Sequence, residues 1–171
     1  MNVLVVVLRL IHVVSGIVWV GFAVFATFYL VPVVEAAGPE GGKIMAALQR
    51  RGLLTVMPLL ALATLISGFW LFARDSATAA GTFGRSPMGM TLGIGGLLAL
   101  IAFLIGIVVM RPAMTRVGKI MASMGEASTD QERQSRLAEA GRLRARGGAA
   151  GRFVTWFLVL AAVAMAVARD V

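Results

Sequence analysis

The sequence predicts an all-α integral membrane protein, a four-helix bundle with a cytoplasmic helical hairpin between its third and fourth helices. The chain of 171 residues is 59% hydrophobic and only 14% charged, with a mean hydropathy of +0.90. A soluble domain has roughly a quarter of its residues charged. The apolar residues also fall into four stretches, and a bilayer core of about 30 Å needs roughly 20 such residues per helix. We therefore expect one membrane domain spanning residues 1–171.

The first predicted membrane helix covers residues 3–34, which is longer than one bilayer requires. We expect Pro32 to bend or end it, because proline lacks an N–H group and clashes with the preceding turn. The connector 35–52 opens with a Gly-Pro-Glu-Gly-Gly run at 38–42, which predicts a turn. The rest of the connector, 43–51, is predicted to be a short amphipathic helix at the membrane surface.

The other three membrane helices are predicted at 53–73, 88–110 and 153–168. The mostly polar segment 111–152 is too long for a structureless loop, so we interpret it as a helical hairpin. Thr129 and Glu132 have the spacing of a capping box at the start of its second arm. Gly147-Gly148 are predicted to end that arm.

The Lys and Arg residues predict the orientation in the membrane, because cytoplasmic loops of membrane proteins carry an excess of them. Of the 16 Lys and Arg residues, all but four lie in the connectors 35–52 and 111–152. We therefore expect a multi-pass protein of the bacterial inner membrane with cytoplasmic connectors and both termini periplasmic. No aromatic residues accompany these charges as in a nucleic-acid platform, so no nucleic-acid partner is predicted. The four remaining bases are Arg9, Arg74, Arg85 and Arg169.

Small residues within the predicted spans indicate close helix packing, since such residues let helix backbones approach each other in lipid. Aromatic and basic residues near the ends of the spans predict the membrane interfaces. Arg9 is either one of these interface residues or a charge paired with a cofactor carboxylate or with an acidic residue of a partner. The predicted packing residues are Gly16, Gly21, Ser67, Gly68, Gly89, Gly93, Ala162 and Ala166. The predicted interface residues are Arg9, Trp70, Trp156, Arg152 and Arg169.

His12 is the only histidine in the chain, and it lies within the first predicted span. An ionisable residue inside a membrane is a functional hypothesis by default. It either forms a hydrogen bond between helices or ligates a metal through a neutral imidazole nitrogen. A b-type haem usually takes two axial ligands, so a Met or a partner's residue would have to supply the second, whereas a chlorin needs only one. The candidate Met residues are Met57, Met88 and Met90.

The first helix carries a short motif of spaced residues, namely His12, Gly16, Trp19 and Gly21. This motif resembles the opening of the uncharacterised DUF2269-type family, the copper-resistance D family and the membrane part of bacterial urate oxidases. A similar opening occurs in the membrane protoporphyrinogen oxidase of the haem pathway. The run at 38–42, the Ser67-Gly68 pair and the ending 165–169 extend the resemblance over most of the chain.

The resemblance implies a four-helix bundle with a cytoplasmic extension. In haem-binding relatives the first-helix histidine is a plausible axial ligand, and that role would fall to His12. The chain departs from this pattern because it has no further histidine, and this departure puts both haem catalysis and copper transport in question.

Three functions remain open from the sequence. The favoured one is a non-catalytic accessory subunit that packs against other integral membrane subunits of a respiratory or photosynthetic complex, with lipids as further partners and without a cofactor. The alternative is a membrane redox protein that binds haem b or a chlorin through His12. A small metal-tolerance transporter is third, since the predicted spans contain no Asp or Glu for an ion pathway. The absence of Cys excludes thiolate metal sites and Cys nucleophiles.

Overall fold

The computed structural model describes residues 2–126 and 129–171, with the side chains of Pro39 and Glu126 outside that description. Across those ranges the chain is all-α and has no strand. Five-residue π-helical segments join α1 to α2 (Ala26–Leu30) and α5 to α6 (Gly106–Met110). The α-helices are α1 Val3–Phe25, α2 Val31–Ala36, α3 Gly38–Arg50, α4 Leu53–Thr78, α5 Pro87–Ile105, α6 Arg111–Ala122 and α7 Asp130–Val167.

Four continuous helical stretches are long and apolar enough to cross a membrane. They are Val3–Ala36, Leu53–Thr78, Pro87–Ala122 and Asp130–Val167. Large hydrophobic side chains cover their outward faces, as with Ile66, which is 65% exposed. An apolar surface of this extent is what a lipid environment favours and water does not, so the four stretches have both the length and the exposed apolar surface that membrane spans need.

Each π-helical segment ends two residues before a proline, Pro32 in α2 and Pro112 in α6. A proline ring clashes with the carbonyl four residues earlier, and these carbonyls belong to Phe28 and Val108 inside the wider π-helical turns. The wider turn makes room for the ring, so the helix axis continues past the proline. The first helical stretch therefore ends at Ala36, beyond the predicted bend or end at Pro32.

The core lies where α1, α4, α5 and α7 meet, and most of its members are small. α5 and α7 approach closely at Gly95, where an added Cβ would lie 3.2 Å from the carbonyl oxygen of Ala161. Trp19 fills the space beside α4, where Ala61 is buried. The buried cluster comprises Trp19, Ala61, Ala99, Ala102, Val154, Leu158 and Ala161.

The predicted end at Gly147-Gly148 is wrong, because α7 runs unbroken from Asp130 to Val167. Gly147 and Gly151 instead allow α7 to approach its neighbours. A Cβ on Gly147 would overlap Met114 Cε, and one on Gly151 would lie 3.5 Å from Met110 Cε. Gly147 and Gly151 thus mark a close packing face of α7, whereas nothing lies within 4 Å of a Cβ at Gly148.

Other boundaries also differ from the sequence-based expectation. The run at 38–42 is not an open turn, because α3 begins at Gly38 with a positive φ of 56°. Gly41 then lies so close to the Val34 carbonyl that a Cβ there would overlap it. The second span extends to Thr78 where residue 73 was predicted. At the start of α7, Thr129 accepts a hydrogen bond from the Glu132 amide at 3.1 Å, as the capping box requires.

Candidate functional site

The candidate site is a polar seam between α1 and α4, formed by His12, Ser15, Gly16, Thr64, Ser67 and Gly68. We call it the His12 seam. The Nδ1 atom of His12 lies 2.8 Å from the backbone carbonyl oxygen of Thr64. Because a carbonyl oxygen only accepts hydrogen bonds, Nδ1 carries a proton and donates it. The Ser67 hydroxyl oxygen lies 3.5 Å from the same nitrogen.

The two glycines of the His12 seam explain how the helices come close enough for this bond. A Cβ added to Gly68 would lie 2.6 Å from His12 Cε1 and 2.9 Å from Nδ1. The imidazole ring therefore occupies the space that any other residue at position 68 would fill. Gly16 meets α4 one turn further along, where its Cβ would lie 3.5 Å from Thr64 Cγ2.

The hydroxyl groups of the seam are all engaged. Ser15 Oγ and Thr64 Oγ1 lie 2.8 Å apart. Each also lies within hydrogen-bond distance of the carbonyl four residues earlier on its own helix, Ile11 for Ser15 and Leu60 for Thr64. Polar groups in a membrane must find partners within the protein, and these satisfy one another across the helix pair.

The second ring nitrogen of His12 is the chemically open one. With the proton held on Nδ1, a neutral imidazole keeps its lone pair on Nε2. Within residues 2–126 and 129–171 no group forms a hydrogen bond with Nε2, and the side chain is only half-buried. The His12 seam therefore holds the imidazole by Nδ1 and leaves Nε2 without a hydrogen-bond partner among the described residues.

Arg9, His12, Gly16 and Trp19 lie three or four residues apart in the sequence, and this spacing predicts one shared face of the first helix. The structure separates them. Arg9, one turn before His12, is exposed. Trp19 turns inward and is 8% exposed in the core cluster. His12 and Gly16 contact α4 at Thr64 and Gly68, and Trp19 shares the buried cluster with Ala61 of α4.

The Met residues considered as second axial ligands do not reach His12. Met57 precedes Thr64 by seven residues on α4, which is about 10 Å along the helix axis. α5 meets α4 near Phe72, where a Cβ on Gly93 would lie 4.0 Å from Phe72 Cζ. Met88 and Met90 precede Gly93 on α5, so they lie on the side of this contact that faces away from His12. In the part of the chain that the structure describes, no three His, Cys, Asp or Glu residues gather into a metal-binding group.

The remaining predicted packing residues lie in varied surroundings. Gly89 packs against the Phe83 carbonyl in the turn before α5, and Gly93 reaches Phe72 on α4. Gly21, Ala162 and Ala166 are exposed. All five predicted interface residues are exposed, namely Arg9, Trp70, Trp156, Arg152 and Arg169.

Two close contacts were not predicted from the sequence. Gly95 is the glycine at the α5–α7 crossing, and its spacing to Ala99 and Ala102 is the signal that identifies that face. Thr27 and Thr155 form a second polar contact, with hydroxyl oxygens 2.6 Å apart, and Thr155 donates to the Ala23 carbonyl at 3.1 Å. Thr155 is the one hydroxyl residue of the predicted span 153–168, whereas Thr27 shares the first span with Ser15 and Tyr29.

Comparison with known protein families, with curated proteins and with solved structures finds no match to this chain. The family resemblance based on the first-helix motif therefore remains an expectation. The structure adds one observation to it. Two of the motifs that carry the resemblance, the His12 and Gly16 pair and the Ser67-Gly68 pair, meet in the His12 seam.

Proposed function

We propose that this protein is a multi-pass membrane redox protein that binds a tetrapyrrole, a haem or a chlorin, through Nε2 of His12. One observation carries the proposal, the donation of the Nδ1 proton of His12 to the Thr64 carbonyl at 2.8 Å. Histidines that ligate metals almost always donate their other ring N–H in this way, because the bond fixes the tautomer and makes the ligating nitrogen more basic.

The residues of the His12 seam fit a group that takes one axial ligand from this chain. Gly68 gives the imidazole its position, and the Thr64 carbonyl fixes its orientation. Arg9 is exposed one turn from His12, where its guanidinium can pair with a carboxylate of the bound group. A six-coordinate haem would need a second ligand from outside the described residues of this protomer. When bound, the tetrapyrrole supplies the electron-transfer chemistry.

The absorption spectrum of the protein, purified in mild detergent after expression with a haem precursor, tests this function. We expect a Soret or chlorin band that co-elutes with the protein, and its loss in His12→Ala and His12→Gln. Ser15→Ala is the matched control, because Ser15 lies in the same seam but offers no metal ligand, so it should keep the band. A colourless wild-type protein, or a band that persists in both His12 variants, would overturn the proposal.

A second candidate is an accessory subunit of a larger membrane complex. The outward faces of α1 and α7 carry small residues that no other part of the described chain covers, namely Gly21, Ala162 and Ala166. Small residues permit close helix approach in lipid, so these positions suit a neighbouring membrane helix. Ala162→Leu with Ala166→Leu should then abolish copurification of a large partner, whereas Val163→Leu on the same helix should not. Elution of the wild-type protein alone at low mass would exclude this candidate.

We also propose that the connectors 35–52 and 111–152 are cytoplasmic and that both termini are periplasmic, in a bacterial inner membrane. The excess of Lys and Arg in the connectors supports this orientation. Gln49 and Gly118 lie together, since a Cβ on Gly118 would be 3.1 Å from Gln49 Oε1. The two connectors therefore share one end of the bundle.

The absence of native cysteine makes the orientation directly testable. Single variants Lys43→Cys, Arg142→Cys, Thr82→Cys and Val171→Cys can be exposed in spheroplasts to a membrane-impermeant thiol reagent. We expect labelling only at positions 82 and 171 before lysis. Labelling of positions 43 and 142 instead would reverse the orientation.

A further inference from the structure

A groove with a basic half and an apolar half runs along α6, away from the His12 seam. It begins at the π-helical segment with Ile107 and continues past Arg111, Thr115, Arg116, Lys119 and Ile120. A smaller hollow on the other side of Pro112 adds Val108 and Arg146. The two hollows share Pro112 and Arg116, so they form one continuous surface around the start of α6.

The charges lining this groove are all positive. Arg116 donates to the Glu139 carboxylate at 2.7 Å. Arg111, Lys119 and Arg146 are exposed, and none of them forms an ion pair within 4.0 Å with a described residue. No carboxylate lines either hollow. The groove thus offers three cationic groups to a ligand and no anionic group.

The position of the groove along the helix indicates what its ligand is. The stretch Pro87–Met110 contains no charged residue, and Arg111 is the first one after it. The apolar half of the groove, with Ile107 and the 67%-exposed Val108, belongs to that uncharged stretch. In a membrane-spanning arrangement, Ile107 and Val108 lie at acyl-chain depth, and the cations lie at the level of lipid phosphates.

We propose that this groove binds a phospholipid with a net negative headgroup. The phosphate contacts Arg111, Lys119 and Arg146, and one acyl chain lies along Ile107 and Val108. Headgroup discrimination follows from the lining, because a zwitterionic lipid also brings an ammonium group, and the groove has no carboxylate to receive it. Basic pockets at the cytoplasmic ends of membrane helices recognise lipid headgroups by the same chemistry.

Native mass spectrometry of the full chain, titrated with phosphatidylglycerol or with phosphatidylcholine in detergent, tests the proposal. We expect preferential binding of phosphatidylglycerol. The double variant Arg111→Gln with Lys119→Gln should weaken that binding roughly tenfold to thirtyfold, as two cations near a membrane surface would. The matched control is Arg142→Gln with Arg144→Gln, which removes the same charge from exposed positions of α7 outside the groove.

Each other outcome of the titration contradicts specific binding of the anionic lipid in the groove. Equal weakening in both double variants would show that only the overall charge matters. Equal binding of the two lipids would show that the headgroup is not recognised. Unchanged binding in the groove variant would place the lipid elsewhere, and in all three cases the proposal is overturned. None of these readouts depends on whether a group binds at His12.

Discussion

The imidazole ring of His12 lies directly over Gly68, in the space that a side chain at position 68 would occupy. A Cβ there would be 2.6 Å from His12 Cε1, closer than two carbon atoms can approach. This packing keeps the ring where Nδ1 reaches the Thr64 carbonyl. The pair links the only histidine of the chain to a glycine 56 positions later, and it is the contact from which the geometry of the site follows.

Gly68→Ala should therefore destabilise the α1–α4 pair and displace His12. The added methyl group forces the ring away and breaks its bond to Thr64. Overpacking of this kind typically costs about 1–3 kcal/mol. The thermal midpoint of unfolding in detergent, followed by tryptophan fluorescence, measures the effect, and any His12-dependent absorption band should shift or weaken.

Gly16→Ala is the control for that substitution, because it adds the same methyl group to the same helix interface. The new Cβ would lie 3.5 Å from Thr64 Cγ2, an ordinary van der Waals distance. The midpoint should stay close to that of the wild-type protein. Equal losses in the two variants would mean that the His12–Gly68 contact has no special role.

The second prediction concerns two adjacent glycines, Gly95 and Gly96, at the crossing of α5 and α7. Gly95→Leu should lower stability by about 1–3 kcal/mol or more, because even a Cβ at that position lies 3.2 Å from the Ala161 carbonyl oxygen and 3.3 Å from Ala164 Cβ. Gly96→Leu should be tolerated, since nothing lies within 4 Å of its Cβ position. Chemical or thermal unfolding of the two variants compares them, and a greater loss at position 96 would contradict the described helix register.

Hydrophobic patterning was sufficient to predict the helices but not the faces on which they meet. Four apolar stretches were identified because lipid-facing helices are hydrophobic on every side. That same uniformity removes the contrast between inner and outer faces, so the Gly89–Gly93 pair was as plausible a contact as Gly95. The continuous α7 was missed for a related reason. Gly147 and Gly148 have the composition of a helix end, and the contact that explains Gly147 is with Met114 on another helix.

The polar seam was partly predictable from the sequence. A lone histidine in an apolar helix requires a partner, which led to His12 and to an interhelical hydrogen bond as one of its two predicted roles. The identity of its partner was not accessible, because the acceptor is the backbone carbonyl of Thr64, and backbone groups carry no sequence signal. The contact between Gly68 and the ring was likewise not predictable, because it depends on the register of the two helices.

A third prediction concerns the contact between the end of α6 and α7. Arg136 donates to the Ser123 carbonyl at 2.5 Å and to the Glu132 carboxylate at 2.6 Å, and only 25% of its side chain is exposed. Hydrogen bonds from charged groups contribute about 1.5–3 kcal/mol, and partial exposure reduces that value here. Arg136→Ala should therefore lower the free energy of unfolding by about 1 kcal/mol.

Arg133→Ala removes the same charge from the same helix and serves as the control. Arg133 lies 3.9 Å from Asp130, whose side chain is 95% exposed, and such surface pairs contribute little. Denaturant unfolding of both variants should show a loss for Arg136→Ala alone. A similar loss in each would indicate that net charge, and not the Ser123 contact, stabilises this region.

The last prediction concerns the hydroxyl pair of Thr27 and Thr155, which joins the π-helical segment after α1 to α7. The two oxygens lie 2.6 Å apart, and Thr155 is 1% exposed. Interhelical hydrogen bonds in membrane proteins contribute about 0.6 kcal/mol on average and up to about 1.7 kcal/mol. Thr155 also reaches the Ala23 carbonyl, so its loss should cost more than the loss of Thr27.

A double-mutant cycle with Thr27→Val and Thr155→Val separates these contributions, because valine keeps the shape of threonine and removes only the hydroxyl group. We expect Thr155→Val to cost more stability than Thr27→Val. The double variant should cost less than the sum of the two, by a coupling energy of about 0.5–1.5 kcal/mol. Strict additivity would mean that the two hydroxyl groups do not bond to each other, and the bond from Thr155 to the Ala23 carbonyl would then be the polar contact of Thr155 with the first helix.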